Sequence, residues 1–409
     1  MRRVVVIGAG FAGLAVVRVL PTSSDWQITL VDRRNHHLFQ ALLYQVASAG
    51  LNPSEIASPV RAIFRDRANV RVLMGEMTGH DAEARQVVLD DGEVRLDYDY
   101  LVLAVGGQTS FFGHPEWSEH AYGLKSIEEA LAIRKRVLLA FESAEKSSDP
   151  ELRRRLMTIA VVGGGPTGVE LSGAFAELRS HVLRWDFRSI DPQDARIVLI
   201  EGGDRLISFF PEDLCRAAQR DLEALGVEVW LGERVTSIGP GGLTTTNRAL
   251  EAHTVVWAGG IEGVPLARKL GYATNARGQI LTGPDLRVAE RVFCLGDMAS
   301  LDGLPAMAPV AMQQGRHAGQ NLVRLAAGQA TEPFVYHDEG IMATVGRTRG
   351  VALLGGRHYT GTRGWATWLY HHLLRIVDFQ NRVLVTARWA WAYVAWKWGV
   401  RLVYGPDEK

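Results

Sequence analysis

Short apolar runs that end in glycine recur along the chain, and several are followed by residues spaced for a helix. Val4-Val5-Val6-Ile7 is an unbroken β-branched run, the pattern of a parallel strand buried on both faces. Gly8 follows, then a helix-compatible stretch over 12–20 that stops at Pro21, which has no N–H to continue a helix. Residues 28–32 read as a second strand. Strand, glycine turn, helix and strand within about thirty residues make a βαβ unit, so a parallel sheet is expected. The same order returns at 158–162, with glycines at 163–165 and 168 and a strand at 196–200. A repeat of this length predicts two related nucleotide-binding modules. Further apolar strands ending in glycine are expected at 100–107, 255–260 and 292–297. Residues 126–143 have helical spacing, and the charged stretch to Arg155 reads as solvated helix or linker.

The chain's 409 residues exceed what one core supports, since single cores stop growing near about 250–300 residues. The expected division is a first nucleotide-binding part at 1–110, a second domain at 111–284, a return to the first at 285–330, and a C-terminal domain at 331–409. Formal net charge is zero, which offers no overall footprint for nucleic acid, and none is expected as a partner. Cys215 and Cys294 are far apart and form no C-x-x-C pair, which excludes a disulfide framework as a folding device and argues against a dithiol electron relay. A reducing compartment and buried packing roles are the natural reading of both. The run at 4–7 is too short for the core of a secretory signal. No stretch of about 18 uninterrupted apolar residues predicts a spanning helix.

Gly8-Ala9-Gly10-Phe11-Ala12-Gly13 is G-x-G-x-x-G set between a strand and a helix. The first glycine permits the tight turn, the second admits a pyrophosphate, and the third lets helix pack on strand. The helix N-terminus offers free N–H groups to phosphates. Asp32 closes the next strand, where a carboxylate accepts hydrogen bonds from a ribose. Near the other end, Cys294-Leu295-Gly296-Asp297 resembles the motif of two-dinucleotide flavoproteins in which an Asp meets the flavin's ribityl chain. The alternative is a turn Asp capping the next helix. The two ends together predict an FAD site with its adenine half at 8–32.

Gly163-Gly164-Gly165-Pro166-Thr167-Gly168-Val169-Glu170 repeats the arrangement. Glu201 ends its second strand and favours the free 2′-hydroxyl of NADH over the phosphate of NADPH, with Arg205 nearby blurring that preference. The span from Gly168 to Glu201 is longer than usual, so 184–192 is expected to be an insertion between helix and strand. Glu170 has two readings. It is either a first-turn acid favoured by the helix dipole or a group beside the nicotinamide at the junction of two cofactors.

Asp32-Arg33-Arg34-Asn35-His36-His37-Leu38-Phe39-Gln40, with Leu42-Leu43-Tyr44-Gln45-Val46-Ala47 after it, resembles the type II NADH dehydrogenases, single-subunit NADH:quinone oxidoreductases that pump no protons. The likeness runs through 163–170, the insertion at 184–192, Val256-Trp257-Ala258-Gly259-Gly260, Gly296-Asp297 and Trp389-Ala390-Trp391-Ala392-Tyr393. It implies an α/β fold with two Rossmann-like dinucleotide-binding domains, that of a two-dinucleotide-binding-domain flavoprotein, plus a C-terminal amphipathic helical tail. It also implies hydride transfer from NADH to FAD, then two electrons to a membrane quinone. The FAD set expected is Gly8, Gly10, Phe11, Ala12, Gly13, Asp32, Arg33, Ala104, Gly106, Gly296, Asp297 and Ala311. For NADH it is Gly163, Gly165, Pro166, Thr167, Gly168, Glu201 and Gly260. Glu170, Gln313 and Gln314 are the expected catalytic group. The family's quinone motif A-Q-x-A-x-Q appears as Ala308-Pro309-Val310-Ala311-Met312-Gln313, so Pro309 removes one amide contact. The other reading of Gln313 and Gln314 is the polar face of a helix N-terminus.

Six of the eleven tryptophans fall in the tail, at 365, 368, 389, 391, 396 and 398. Thr367, His371, Arg375 and Asp378 recur at helical spacing, opposite Trp365, Trp368, Leu369, Leu373, Ile376 and Val377, which predicts an amphipathic helix over 364–379. Lys and Arg at 363, 375, 382, 388, 397 and 401 outnumber the single acid, Asp378. Tryptophan with basic flanks suits a bilayer interface, so peripheral binding on the cytoplasmic side of the cell membrane is expected. A dimer interface, or docking onto the enzyme's own body, is the alternative, and a homodimer is expected. His371-His372 has no third ligand in register, and no metal is expected. A soluble NAD(P)H diaphorase or ferredoxin reductase-like flavoprotein, or a non-catalytic NADH sensor, is the competing function. Sulfide:quinone reductase chemistry needs cysteines whose spacing is missing.

Overall fold

The computed structural model describes residues 1–377, 379–395 and 401–403. Asp378, Trp396, Lys397 and Trp398 of the tail lie outside the described residues. The chain forms two compact units, each assembled from separated segments.

The first unit comprises Met1–Leu38, Ala57–Gln108 and Ile261–Asp338. Strand β1 (Arg2–Ile7), helix α1 (Phe11–Val19) and strand β2 (Trp26–Asp32) form the expected βαβ unit. The sheet runs Val70–Met74, β2, β1, Tyr100–Leu103, Val292–Cys294, all parallel, with Arg287–Ala289 antiparallel at the edge. Val4, Val6, Ile28, Leu30, Leu101 and Val102 are fully buried, as continuous apolar strands covered on both faces must be. Helix Ala308–Ala326 packs along α1. The close approach depends on Gly315, where a Cβ would sit 2.3 Å from Ala12 O.

The second unit comprises Phe39–Ile56, Thr109–Gly260 and Glu339–Lys409. Strand β3 (Thr158–Val162), helix α2 (Pro166–Glu177) and strand β4 (Arg196–Ile200) repeat the βαβ unit. They sit in a parallel sheet of order Glu228–Trp230, β4, β3, Thr254–Trp257. The expected helix after Ser126 runs Ile127–Lys146, and the Ser126 side chain accepts the Glu129 N–H at its start. The charged stretch beyond it becomes a second helix, Pro150–Leu156. The insertion is present. α2 continues as one wide π-type turn at Leu178–Val182, and the loop beyond is anchored by the Glu145 carboxylate, which accepts N–H groups from Arg188, Ser189 and Ile190. Strands β5 (Ile341–Val345) and β6 (Arg349–Leu354) pair with Arg357–Thr360 in an antiparallel sheet, followed by helices α3 (Gly361–Arg375) and α4 (Phe379–Ala395).

The units differ from the boundaries expected above. The return to the first unit comes at Ile261, because Val264, Leu266, Ala267 and Leu270 enter that unit's core. Residues 39–56 and the C-terminal segment both belong to the second unit. The tail is also corrected. The helix expected over 364–379 ends at Arg375, because Ile376 turns to extended backbone and is buried to 2% exposure. α3 docks on the second unit's own sheet, where a Cβ on Gly364 would fall 2.2 Å from Gly350 O. α4 buries Asn381 and Val385 and exposes Val383, Leu384, Ala387, Ala390 and Trp391 along one stripe. Among the described residues, no helix is long and apolar enough to cross a membrane. Both cysteines are free and buried.

Candidate active site

The two glycine loops are built alike, down to individual hydrogen bonds. Gly8 and Gly163 adopt φ of +103° and +108°, which an L side chain rarely takes. At each, a Cβ would also strike the neighbouring strand end, 2.2 Å from Ala104 O and 2.6 Å from the Ala258 carbonyl. Gly13 and Gly168 lie against the first glycine of their own loop; a Cβ would stand 1.8 Å from Gly8 O and 1.9 Å from Gly163 O. The middle glycines differ in kind, since nothing lies within 4 Å of a Cβ on Gly10 or Gly165. These two positions therefore face open space at the start of a helix. Neither α1 nor α2 has a side-chain N-cap, so their first-turn N–H groups remain for a phosphate.

The strand-end acids repeat each other as well. Asp32 Oδ2 accepts the Ala9 N–H at 2.7 Å and Oδ1 that of Arg34 at 2.7 Å. Glu201 Oε2 accepts the Gly164 N–H at 2.6 Å and Oε1 that of Gly203 at 2.7 Å. Each carboxylate thus braces its loop and keeps lone pairs for ribose hydroxyls. In the first unit, buried His37 adds a clamp. Burial pushes its pKa down to about 4, so the neutral ring donates from Nδ1 to Ala9 O at 2.9 Å. Phe11 meets the same ring edge-on.

The remaining expected residues of the first unit gather at the same loop. A Cβ on Gly296 would be 3.6 Å from the methyls of both Ala12 and Ala311, and a Cβ on Gly107, beside Gly106, would lie 3.3 Å from Asp297 Cβ. Arg33 and Thr167 are exposed, while Gly260 adopts φ +143° next to Phe112. Gln314 is buried, and its Oε1 accepts the Gly296 N–H at 2.7 Å, which holds the Gly296-Asp297 turn. Gln313 bonds both backbone groups of His337, at 2.8 and 3.0 Å. Pro309 occupies a first-turn position of its helix, where no N–H is needed.

Glu170 lies elsewhere than expected within its helix. It falls in the second turn of α2, past the reach of a first-turn dipole effect, and is buried. Its Oε1 accepts the Trp368 indole N–H at 2.8 Å and the Thr344 N–H at 3.3 Å. Burial pushes its pKa up to about 8 against those two donors, so it is mostly neutral at pH 7. It lines a pocket of the second unit with Tyr44, Gln45, Glu177, Trp365, Trp368 and Trp389. Gln45 Nε2 donates to the Tyr44 hydroxyl at 2.9 Å, and its Oε1 accepts the Trp389 indole N–H at 2.8 Å. The Trp368 ring stacks on His372 at 4.3 Å, and burial holds that imidazole near pKa 4, neutral. Indole walls suit a flat ring, and the neutral carboxyl can give a hydrogen bond or a proton to a carbonyl oxygen.

Reasoning from sequence singled out Glu170, as a group beside the nicotinamide, and missed Tyr44, Gln45, Thr344, Trp368 and Glu177 as its neighbours. Only the last had a signal, at seven residues from Glu170 on the same helix face. His371 and His372 gain no metal partners, and no group of three metal-ligating side chains occurs among the described residues.

Comparison with known proteins fits this geometry. The family described as pyridine nucleotide-disulphide oxidoreductase matches residues 2–315. The type II NADH:quinone oxidoreductase Ndh of Mycobacterium tuberculosis is 38% identical over 97% of this chain and 89% of its own length. The type II NADH:quinone oxidoreductase of Staphylococcus haemolyticus is 27% identical over 88% of this chain and 92% of its own. Among solved structures, NDH2 of Plasmodium falciparum in complex with NADH superposes with a TM-score of 0.89 at 19% identity, over 99% of this chain and 100% of that one.

Proposed function

The chain belongs to the pyridine nucleotide-disulphide oxidoreductase family and, within it, to the type II NADH:quinone oxidoreductases, and from that membership we propose how its residues divide the work. The enzyme uses FAD and NADH. FAD, when bound, takes hydride from NADH and passes two electrons to a quinone. The loop at 8–13 with Asp32, Gly296 and Asp297 holds FAD, and Gln314 keeps the Gly296-Asp297 turn in place. The loop at 163–168 with Glu201 holds NADH. Both assignments rest on the open space at Gly10 and Gly165, where a Cβ would meet nothing of the protein and a pyrophosphate has room.

The quinone headgroup enters the pocket of Glu170, Tyr44, Gln45 and Trp368. The single observation that carries this reading is the buried carboxyl of Glu170 facing a pocket walled by indoles. Glu170 donates a hydrogen bond and then its proton to a quinone oxygen, while Trp368 and Thr344 stabilise the carboxylate left behind. Trp365 and Trp389 exclude water from the ring. Gln313 and Gln314 act in the first unit, through the backbone groups of His337 and Gly296 that they hold. Binding of a soluble quinone, read by tryptophan quenching, should weaken about tenfold in Trp368→Ala; an unaltered affinity would move the quinone out of this pocket.

Glu201 selects NADH. Glu201→Gln keeps an acceptor for the Gly164 N–H and removes the charge that repels a 2′-phosphate. The ratio of kcat/KM for NADH over NADPH should fall about tenfold, roughly 1.4 kcal/mol. An unchanged ratio would place the discrimination at another residue.

Membrane binding is peripheral and runs through α4. Its exposed stripe supplies apolar area, but the tail's charge is weaker than counted along the chain. Arg375 pairs with Glu339, Arg388 with Glu55 and Arg401 with Asp186, all acids outside the tail. Apolar contact therefore outweighs attraction to anionic lipid. Leu384→Ser with Trp391→Ser should lower partitioning onto vesicles about tenfold and leave salt dependence nearly unchanged. A soluble diaphorase predicts no change in partitioning at all.

A further inference from the structure

Helix α2 carries a second carboxyl into the pocket. Glu177 lies seven residues, about two turns or 10 Å of helix, beyond Glu170, with Ala174 between them on the same stripe. Both acids are buried and both line the pocket. They are also mounted alike. Each rests Oε1 on a backbone N–H from β5 or the turn after it, Thr344 at 3.3 Å for Glu170 and Arg347 at 2.5 Å for Glu177. That leaves the second oxygen of each carboxyl for the pocket. Gly346 makes the close seat possible, since a Cβ there would lie 2.7 Å from Glu177 Oε1.

Quinol formation needs a proton that NADH does not bring. In NADH + H⁺ + quinone giving NAD⁺ + quinol, NADH is oxidised and supplies two electrons with one proton. The quinone is reduced and takes its second proton from solvent. A lone buried Glu170, once ionised, has no described neighbour able to return that proton except through the pocket. We infer that Glu177 relays the solvent proton to Glu170 through water in the pocket, giving up one proton and regaining one in each turnover. The inference rests on reading this pocket as the quinone site.

The surroundings suit such a relay. Burial pushes the Glu177 pKa up to about 7, opposed by the Arg347 N–H and guanidinium, and so within about one unit of Glu170. The other titratable or charged groups lining the pocket are Tyr44 and Arg388, which pairs with Glu55, while the neutral His372 stacks on Trp368. Glutamine keeps a carbonyl for the Arg347 N–H but drops the charge facing the Arg347 guanidinium, whereas aspartate keeps that charge, so Glu177→Asp separates a structural role from a relay.

That difference defines the test. In the FAD-loaded enzyme, Glu177→Gln should be reduced by NADH at the wild-type rate. Its reoxidation by a soluble short-chain quinone should slow about tenfold at pH 7–9, with part of the rate restored by Glu177→Asp or by added imidazole. Infrared difference spectra between pH 6 and 9 should lose one protonated-carboxyl band in Glu177→Gln and a different one in Glu170→Gln. Quinone affinity by tryptophan quenching should stay within twofold. Wild-type reoxidation across the pH range overturns the relay, as does a changed affinity with an unchanged pH profile. If Glu170→Gln is also reoxidised normally, the quinone-site reading fails with it.

Discussion

Glu170→Gln is expected to slow reoxidation of the reduced enzyme by quinone by about 10²–10³-fold, within the range a positioned general acid supplies, while reduction by NADH stays within about twofold. Glutamine keeps an oxygen for the Trp368 indole and the Thr344 N–H, so the pocket survives and only the transferable proton is lost. The wild-type rate should fall as pH rises through about 8, where the acid ionises, and the variant's slow rate should lack that step. Stability moves with the same group. A carboxyl whose folded pKa is raised from its usual value to about 8 favours folding below the unfolded pKa. That advantage is lost as pH climbs through 8. Thermal scans should therefore show wild type losing Tm between pH 6 and 9 more steeply than Glu170→Gln. Equal reoxidation rates in stopped-flow absorbance would remove Glu170 from the reaction.

Gly168→Ala is expected to be the most damaging single methyl in the second unit. The added Cβ would stand 1.9 Å from Gly163 O and 3.3 Å from Leu199, so backbone of α2 or of the loop must move. The cost is on the order of 3 kcal/mol, the upper end for overpacking, and NADH binding is lost with it. Gly165→Ala is the informative contrast. Its Cβ meets nothing, so Tm should hold within a degree or two, while KM for NADH rises about tenfold or more because the methyl occupies the pyrophosphate's place. The first loop should repeat the pair with Gly13→Ala and Gly10→Ala, read as FAD retained after gel filtration. A Gly165→Ala enzyme with normal KM would show that no phosphate passes that point.

Much of this was legible along the chain. The runs at 4–7, 28–32, 158–162 and 196–200 are strands in the positions expected, because a buried parallel strand needs continuous β-branched or aliphatic residues and little else. Gly8, Gly13, Gly163 and Gly168 were equally readable, since their constraint is local: a few residues decide whether a Cβ fits. Asp32 and Glu201 stand at strand ends and reach back to their own loops, again over short distances.

The pocket was not legible in this way. It joins Tyr44 and Gln45 to Glu170, to Thr344 and to tryptophans at 368 and 389, and no periodicity links positions some three hundred residues apart. The tail shows the same limit from the other side. Its helical spacing was visible, but Ile376 ends α3 because a tertiary pocket buries it, and Glu339, Glu55 and Asp186 discharge cations that looked free in sequence.

By itself the sequence determined the two βαβ cradles and the acid that closes each, since strand burial, glycine sterics and helix-end electrostatics act within a few residues. Only the tertiary structure decided that Glu170 is neutral, that Glu177 shares its pocket, and which face of the tail stays bare. Desolvation and charge pairing depend on what else is packed nearby, and the fold alone brings those partners together.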